Sequence, residues 1–271
     1  MGVTSVSVIA GAESARPSPL VSVVFVTYRR IDLLRETHSS FMATCKYPSI
    51  ELIVCDDGSP PEVQVRIREM EFDKFLLAPR NQGIAANTNK GLLAATGEFV
   101  LQLQDDWHCR GPADFIEAGI ELMEECKDVC MVQYWREPTF PYPSRMHVTA
   151  SGRRARVFLD YPGMVASGSG FYIYSDCPHL RRTASRETVG LYSSRKRMSE
   201  VEADYCRRFE CLEGQRVAII EGYGGVFQHT GADQTFNWDQ KKENIRKRLR
   251  AHPVLRHAWN LYCHIRYGRR G

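Results

Sequence analysis

The sequence predicts an α/β protein built on a mainly parallel sheet with helices on both faces. Three observations predict it. β-rich and helical patterns alternate from Leu20 to Tyr134. Two of the β-rich runs stop on paired aspartates, Asp56-Asp57 and Asp105-Asp106. The 271 residues are 43% hydrophobic and 25% charged, the balance of a globular chain that can bury its own core. The aspartate pairs add a functional expectation, because strand ends aim side chains at the crevice where α/β sheets bind ligands. Adjacent carboxylates repel unless something positive lies beside them, and a hard divalent cation shared with substrate phosphates answers that need.

The elements follow in order. Residues 1–19 read as a flexible lead-in, with Pro17 and Pro19 and neither the basic segment nor the long apolar stretch of a signal peptide. Leu20 to Thr27 is a β-rich run, and Ile31 to Thr44 has helical spacing. The strand Ile50 to Cys55 enters Asp56-Asp57-Gly58-Ser59, and Pro60-Pro61 opens a helix expected to reach about Glu71. A short strand from Lys74 to Ala78 precedes a helix from Ile84 to Ala95, for which Gly97 is the expected C-cap. Residues 98–104 form the second acidic strand, then come a helix from about Pro112 to Cys126 and a strand from Val129 to Tyr134. Prolines 138, 141 and 143 mark a change of pattern, and the extended runs around Ser151-Gly152 read as a hairpin. Phe171 to Tyr174 is another β run. Arg181 to Met198 has six basic residues and little periodicity, the pattern of a mobile loop that could close over phosphates. A helix near Glu200, a strand from Arg216 to Ile220 and two basic helices complete the chain.

The nine cysteines form no Cys-x-x-Cys pair, so a zinc ribbon or thioredoxin-like motif is not expected and a reducing, cytoplasmic setting is. No window has the roughly 18 apolar residues of a transmembrane helix. Between Lys241 and Gly271 there are ten Lys or Arg against one acid, although the whole chain has a formal charge of only +4. Such a tail suits an anionic membrane surface at the periphery or another acidic partner. Val254, Leu255, Ala258, Leu261, Tyr262 and Ile265 share one helical face there, which could equally pack on the rest of the chain or on a second copy in a homo-oligomer.

Five motifs in sequence carry a resemblance: Val26-Thr27-Tyr28-Arg29, Asp56-Asp57-Gly58-Ser59, Asn81-Gln82-Gly83 with Asn89-Lys90-Gly91, Leu103-Gln104-Asp105-Asp106, and Glu202-Ala203-Asp204. From about Val21 to Gly231 the chain resembles the inverting, nucleotide-sugar-dependent glycosyltransferases of family 2, which have the GT-A fold. The resemblance implies a GT-A domain over 20–235, with a nucleotide-binding half (20–136) and an acceptor half (137–235), followed by basic C-terminal helices (236–271). It implies that Thr27, Tyr28, Asp56 and Asp57 line the nucleoside pocket, with Asp105 on the ribose or a metal-bound water. Arg29 stands where the family commonly has Asn and could reach a phosphate. Asn81 and Gly83 would present helix N-terminal amides to phosphate, and Asn89 would pack or contact the base, while solvent is the simpler expectation for Lys90. The family's usual Asp-x-Asp appears as Gln104-Asp105-Asp106, so Asp106 is the expected ligand for Mg²⁺ or Mn²⁺. His229 resembles a histidine some relatives add as a second ligand. The family's helix-start motif puts Glu202 at the general-base position and Asp204 two residues later, with Glu200 as a competitor.

The implied partners are a nucleoside-diphosphate sugar, UDP- or dTDP-linked by preference, and a carbohydrate, lipid-linked or small-molecule acceptor. Two rival readings remain open. A nucleotidyltransferase of related fold would need a glycine-rich loop after the first strand, and Thr27-Tyr28-Arg29-Arg30 has no glycine. A catalytically inactive nucleotide-sugar-binding or membrane-associated scaffold is kept open by the altered metal triplet. A dinucleotide-dependent oxidoreductase would need Gly-x-Gly-x-x-Gly at that place, and it is absent.

Overall fold

The computed structural model describes residues 17–135, 143–159, 176–194, 198–210, 212 and 214–231. Along the first half the expected alternation is present, with one unexpected strand, β5, after β4: β1 (Val21–Thr27), α1 (Ile31–Thr44), β2 (Ile50–Asp56), α2 (Pro61–Arg68), β3 (Lys74–Leu77), α3 (Ile84–Ala94), β4 (Phe99–Gln104), β5 (Trp107–Cys109), α4 (Phe115–Glu125) and β6 (Val129–Gln133). Then follow β7 (Ser144–Val148), β8 (Arg154–Phe158), β9 (His179–Arg182), α5 (Ser185–Val189), α6 (Met198–Glu210), β10 (Arg216–Ile220) and β11 (Phe227–His229).

Nine strands form one sheet in the order β3-β2-β1-β4-β9-β6-β10-β8-β7. The sheet is mostly parallel, since β3, β2, β1, β4, β6 and β10 run the same way while β9 is antiparallel to both of its neighbours. All seven residues of β1 are buried, as a strand covered on both faces requires. Its side chains alternate between two cores. Val21, Val23 and Phe25 pack with α1 and α4 through Leu34, Phe41 and Phe115; Val24 and Val26 pack with α3 and α6 through Leu92 and Tyr205. The hairpin expected around Ser151-Gly152 is β7–β8, paired antiparallel. A separate pair, β5 with β11, stands beyond the end of β4.

Glu51 on β2 ties the sheet's parallel half together. Its carboxylate accepts from Ser22 of β1 and from the backbone N–H and hydroxyl of Thr96, at 2.7 and 2.8 Å, and pairs with Lys74 of β3 at 2.6 Å. Burial opposes its ionisation, but these donors together outweigh burial and hold its pKa down to about 2. A depressed carboxylate contributes stability above its unfolded pKa, and that contribution is lost as pH falls through the folded value. Glu51→Gln is therefore expected to cost about 2 kcal/mol at pH 7, the scale of hydrogen bonds to a charged group. Urea unfolding should show the gap between the two proteins closing from about pH 4.5 down to about 2.

Several expectations are corrected. The helix after Pro60-Pro61 stops at Arg68, short of Glu71. Gly97 does not cap α3, whose C-cap is the extended residue Ala95; the Gly97 N–H instead donates to Ser22 Oγ at 2.8 Å. The segment beginning at Arg181 opens as a strand and a helix and not as a loop, while residues 195–197 lie outside the described residues. Arg181 lies in β9, is 2% exposed and donates to Tyr205 Oη at 2.6 Å, and α5 follows with Val189 and Tyr192 buried. Its basic residues hid a strand, because the buried arginine has a hydroxyl partner from α6. Lys90 is not left to solvent either: its ammonium donates to the carbonyls of Asp56 and Leu76 at 2.8 and 3.0 Å.

The seven described cysteines are free. Burial pushes the thiols of Cys55, Cys109 and Cys130 up to about 12, so they act as small core hydrophobes. No described helix is long and apolar enough to cross a membrane. Phe171–Tyr174 and the C-terminal basic helices lie outside the described residues.

Candidate active site

The expected nucleotide-site residues gather where β1, β2 and β4 end. β4 delivers Asp105 and Asp106, which are 0% and 4% exposed. Their turn is held from α1: Thr37 Oγ1 donates to the Asp105 carbonyl at 2.8 Å and accepts the Trp107 N–H at 3.2 Å. Ser40 of α1 similarly accepts the Cys109 N–H at 3.0 Å. Helix hydroxyls, rather than sheet hydrogen bonds alone, thus set the direction of the acidic pair.

The positive group demanded by that pair is Arg30, the N-cap residue of α1. Its guanidinium forms an ion pair with Asp105, adds an Nε–H bond to Asp105 Oδ2 at 3.2 Å, and reaches Asp106 Oδ2 at 2.9 Å. Thr27 Oγ1 also donates to Asp105 Oδ2, at 2.6 Å. Burial pushes the Asp105 pKa up to about 6, Arg30 and Thr27 pull it back, and the neighbouring Asp106 charge pushes it up again. Sequence reading singled out Arg29 and missed Arg30. The dipeptide held no signal to choose between them, since the contact spans 75 residues.

His229 comes to the same place from β11. Its Nε2 lies 3.4 Å from Asp106 Oδ2, and its ring packs on Trp107 with centroids 5.0 Å apart. Gly231 permits this approach: a Cβ there would stand 2.7 Å from Asp106 Oδ2. Asp106 Oδ1 is buried and has no hydrogen-bond partner among the described residues. Among those residues, no group of three or more His, Cys, Asp or Glu side chains converges on a metal position. Asp106 has one oxygen without a hydrogen bond among them, and its other oxygen lies 3.4 Å from the His229 imidazole. Carboxylate and imidazole are groups that a divalent cation accepts, the rest of whose shell would come from phosphate oxygens and water.

Asp56 and Asp57 end β2 and serve the adjoining turns. Asp56 accepts from Ser59 N–H and from Gln64 Nε2, at 2.9 and 2.8 Å. Asp57 accepts the backbone N–H groups of Gln82 and Gly83 at 2.8 and 2.9 Å, so these amides, expected to face phosphate, hold a carboxylate. Burial raises the Asp57 pKa, against the pull of those two bonds. Gly58 has φ +75° and passes so close to Arg80 that a Cβ would clash with its backbone at 2.2 Å. Asn81 is exposed beside this turn, at the entrance to α3. Asn89 faces elsewhere, exchanging two hydrogen bonds of 2.8 and 2.9 Å with the Tyr192 backbone. Asn87, which sequence reading passed over, bridges the carbonyls of Thr27 and Cys55 at 3.1 and 3.0 Å and sets the spacing of β1 and β2.

Tyr28 and Arg29 stand at the rim, with the Arg29 guanidinium 5.0 Å from the Tyr28 ring centre. Arg29 is the one described non-glycine residue with positive φ, +62°. Asn tolerates that conformation better than Arg. Arg29→Asn is expected to raise stability by about 0.5–1 kcal/mol, read as a higher urea midpoint. A lower midpoint would mean that stacking on Tyr28 outweighs the backbone cost.

On α6, Glu202 is exposed and accepts the Asp176 N–H at 2.9 Å. Asp204 pairs with Arg208 at 3.3 Å along the helix. Asp176 in turn accepts from Tyr192 Oη at 2.6 Å. Its neighbour Cys177 lines an open cleft of about 640 Å³ that is also lined by His229, so the cleft adjoins both Asp106 and the start of α6.

Comparison with known proteins bears on the family and the fold. A model of the family described as glycosyl transferase family 2 matches residues 22–188, well over half of the chain. The GalNAc(5)-diNAcBac-PP-undecaprenol beta-1,3-glucosyltransferase of Campylobacter jejuni is 33% identical over 93 residues, covering 32% of this chain and 30% of that protein. The chain thus spans about a third of the length of the curated relatives it matches. Among solved structures, S. aureus TarS 1–349 in complex with UDP-GlcNAc superimposes with a TM-score of 0.56 at 16% identity, over 78% of this chain and 58% of that one. The mannosyltransferase PcManGT of Pyrobaculum calidifontis, in complex with GDP-Man and Mn²⁺, gives 0.52 at 17% identity, over 76% and 59%. These similarities show the GT-A fold.

Proposed function

The chain belongs to glycosyl transferase family 2, and on that premise we propose that it transfers a sugar, with inversion, from a nucleoside-diphosphate donor to an acceptor hydroxyl, using a divalent cation. The observation that carries this reading is the buried Asp105–Asp106 pair, with Arg30 and His229 on it, at the mouth of an open cleft. UDP- or dTDP-linked donors are the preferred class. UDP-GlcNAc in one structural neighbour supports the first, while GDP-Man in another keeps the base open.

Thr27, Tyr28, Asp56 and Asp57 are assigned to the nucleoside end, with Asn81 and Gly83 beside them. Asp106 and His229 would hold Mg²⁺ or Mn²⁺, which supplies charge stabilisation to the departing diphosphate when bound. Arg30 keeps the acidic pair neutralised before the donor arrives, and its guanidinium can turn from carboxylate to phosphate, both of which it binds through paired N–H groups. Glu202, exposed beside the cleft, takes the proton of the acceptor hydroxyl. Asp204 holds Arg208, which donates to the Val189 carbonyl at 2.8 Å and so ties α6 to the end of α5.

The test is hydrolysis and transfer with a panel of nucleotide sugars, with and without chelator. Release of UDP or dTDP that stops in excess EDTA and returns with Mn²⁺ is the expected result. Turnover unchanged by EDTA removes the metal from the proposal. Turnover of no nucleotide sugar removes the activity.

The lipid-linked substrate in the Campylobacter protein's name motivates a matching acceptor here, brought by peripheral docking of the basic tail on the cytoplasmic side. Co-sedimentation with phosphatidylserine vesicles is expected at low salt and should weaken as salt rises. Absence of binding at low salt, with loss of folding on removing 241–271, assigns the tail to packing instead.

A further inference from the structure

We infer that the cleft beside His229 is the acceptor subsite and that it takes a pyranose ring bearing an anionic group; this rests on the transferase reading above. Trp107 and Trp135 form two of its walls, with ring centroids 6.5 Å apart and planes at 66°. Apolar ring faces meeting at such a corner suit the C–H face of a sugar, which is flat, weakly hydrated and amphipathic. The indole N–H of Trp107 is buried and has no hydrogen-bond partner among the described residues. An indole nitrogen can only donate, so a hydrogen-bond acceptor such as a hydroxyl oxygen is the kind of group that would satisfy it once the ring shifts to expose it.

Arg110 supplies the charge preference. It lines the cleft, is exposed, and has no carboxylate partner among the described residues. Its backbone is pinned by an N–H bond to the Val226 carbonyl at 2.7 Å, and a guanidinium binds a carboxylate or phosphate in paired fashion.

Position along the sheet makes this the acceptor side. The nucleoside-end residues close β2 and β1, and the acidic pair closes β4. Trp135 and Cys177 lie past these, at the ends of β6 and β9. Cys177 adjoins Asp176, whose N–H holds Glu202, so the cleft runs from the metal side to the base side. A hydroxyl that loses its proton to Glu202 while attacking the donor must belong to a ring held between them.

Binding of small probes tests this on the full chain in the presence of UDP. Methyl β-glucuronide, glucose 6-phosphate and uncharged methyl β-glucoside are titrated and followed by tryptophan fluorescence. At least one anionic sugar should bind tenfold or more tightly than the glucoside, and the tighter of the two names the anion. Arg110→Gln, at an exposed position, should remove that preference and leave the glucoside unchanged, while Trp135→Phe should weaken all three several-fold. Hydrolysis of the nucleotide sugar, measured in parallel, should keep its KM in both variants. Equal binding of the three sugars, or an anionic preference that survives Arg110→Gln, overturns the inference. A donor KM raised as much as sugar binding is weakened also overturns it, by giving the cleft to the donor. Failure of the transferase reading is separate, since it shows as no hydrolysis by the unmodified chain.

Discussion

Asp106→Asn is expected to lower sugar transfer by about a hundredfold to a thousandfold, the range for removing one electrostatic stabiliser of a developing negative charge. The change is isosteric, so the fold should persist. It replaces a carboxylate that meets Arg30 at 2.9 Å and has His229 at 3.4 Å, and with it the oxygen left without a hydrogen bond among the described residues. Mn²⁺ binding in the presence of UDP, read by electron paramagnetic resonance, should fall with activity while the melting temperature moves little. Full activity in this variant would take Asp106 out of the metal site.

The same pair sets an acid limit. The Asp105 pKa is raised to about 6, so folding takes up a proton between about 3.8 and about 6. Because the native state binds more protons there, this group's contribution to stability declines as pH rises through that window and is constant above it. Under the metal proposal, an ionised Asp105 beside the Asp106 ligand favours the cation, so Mn²⁺ affinity should rise with pH through about 6, opposite in sign to the stability term.

Glu202→Gln is expected to lower turnover by about a hundredfold or more, the usual contribution of a positioned base, with donor affinity nearly unchanged. Glutamine can still accept the Asp176 N–H, so the local structure at the start of α6 is retained. Asp204→Asn should act more weakly and through the helix, because that carboxylate is paired with Arg208. A crippled Asp204→Asn or Glu200→Gln beside a competent Glu202→Gln would shift the base along the helix.

Much of the site was legible in one dimension because its chemistry is placed by strand ends. A β-rich run stopping on Asp105-Asp106, and another stopping on Asp56-Asp57, specify carboxylates at the crevice of a parallel sheet whatever the remaining packing. The alternation from Leu20 to Tyr134 likewise specified the order of elements apart from β5, and the five motifs specified the family. What the chain could not announce were contacts between residues far apart. Arg30 and Arg29 are neighbours of one type, and only the packing of α1 against β4 and β5 gives the acidic pair to Arg30. Arg181 looked like part of a solvated basic loop until Tyr205, on a different element, accepted its hydrogen bond and made a strand of it. Trp107 has no mark of its own in the sequence; the cleft arises because β11 and the end of β6 bring His229 and Trp135 against it. The sequence by itself determined which residue types stand at the strand ends, since local periodicity and turn chemistry act within a few residues. The tertiary structure decided which charges meet and what space they enclose, since a guanidinium is a partner or a solvated cation only according to what folds beside it.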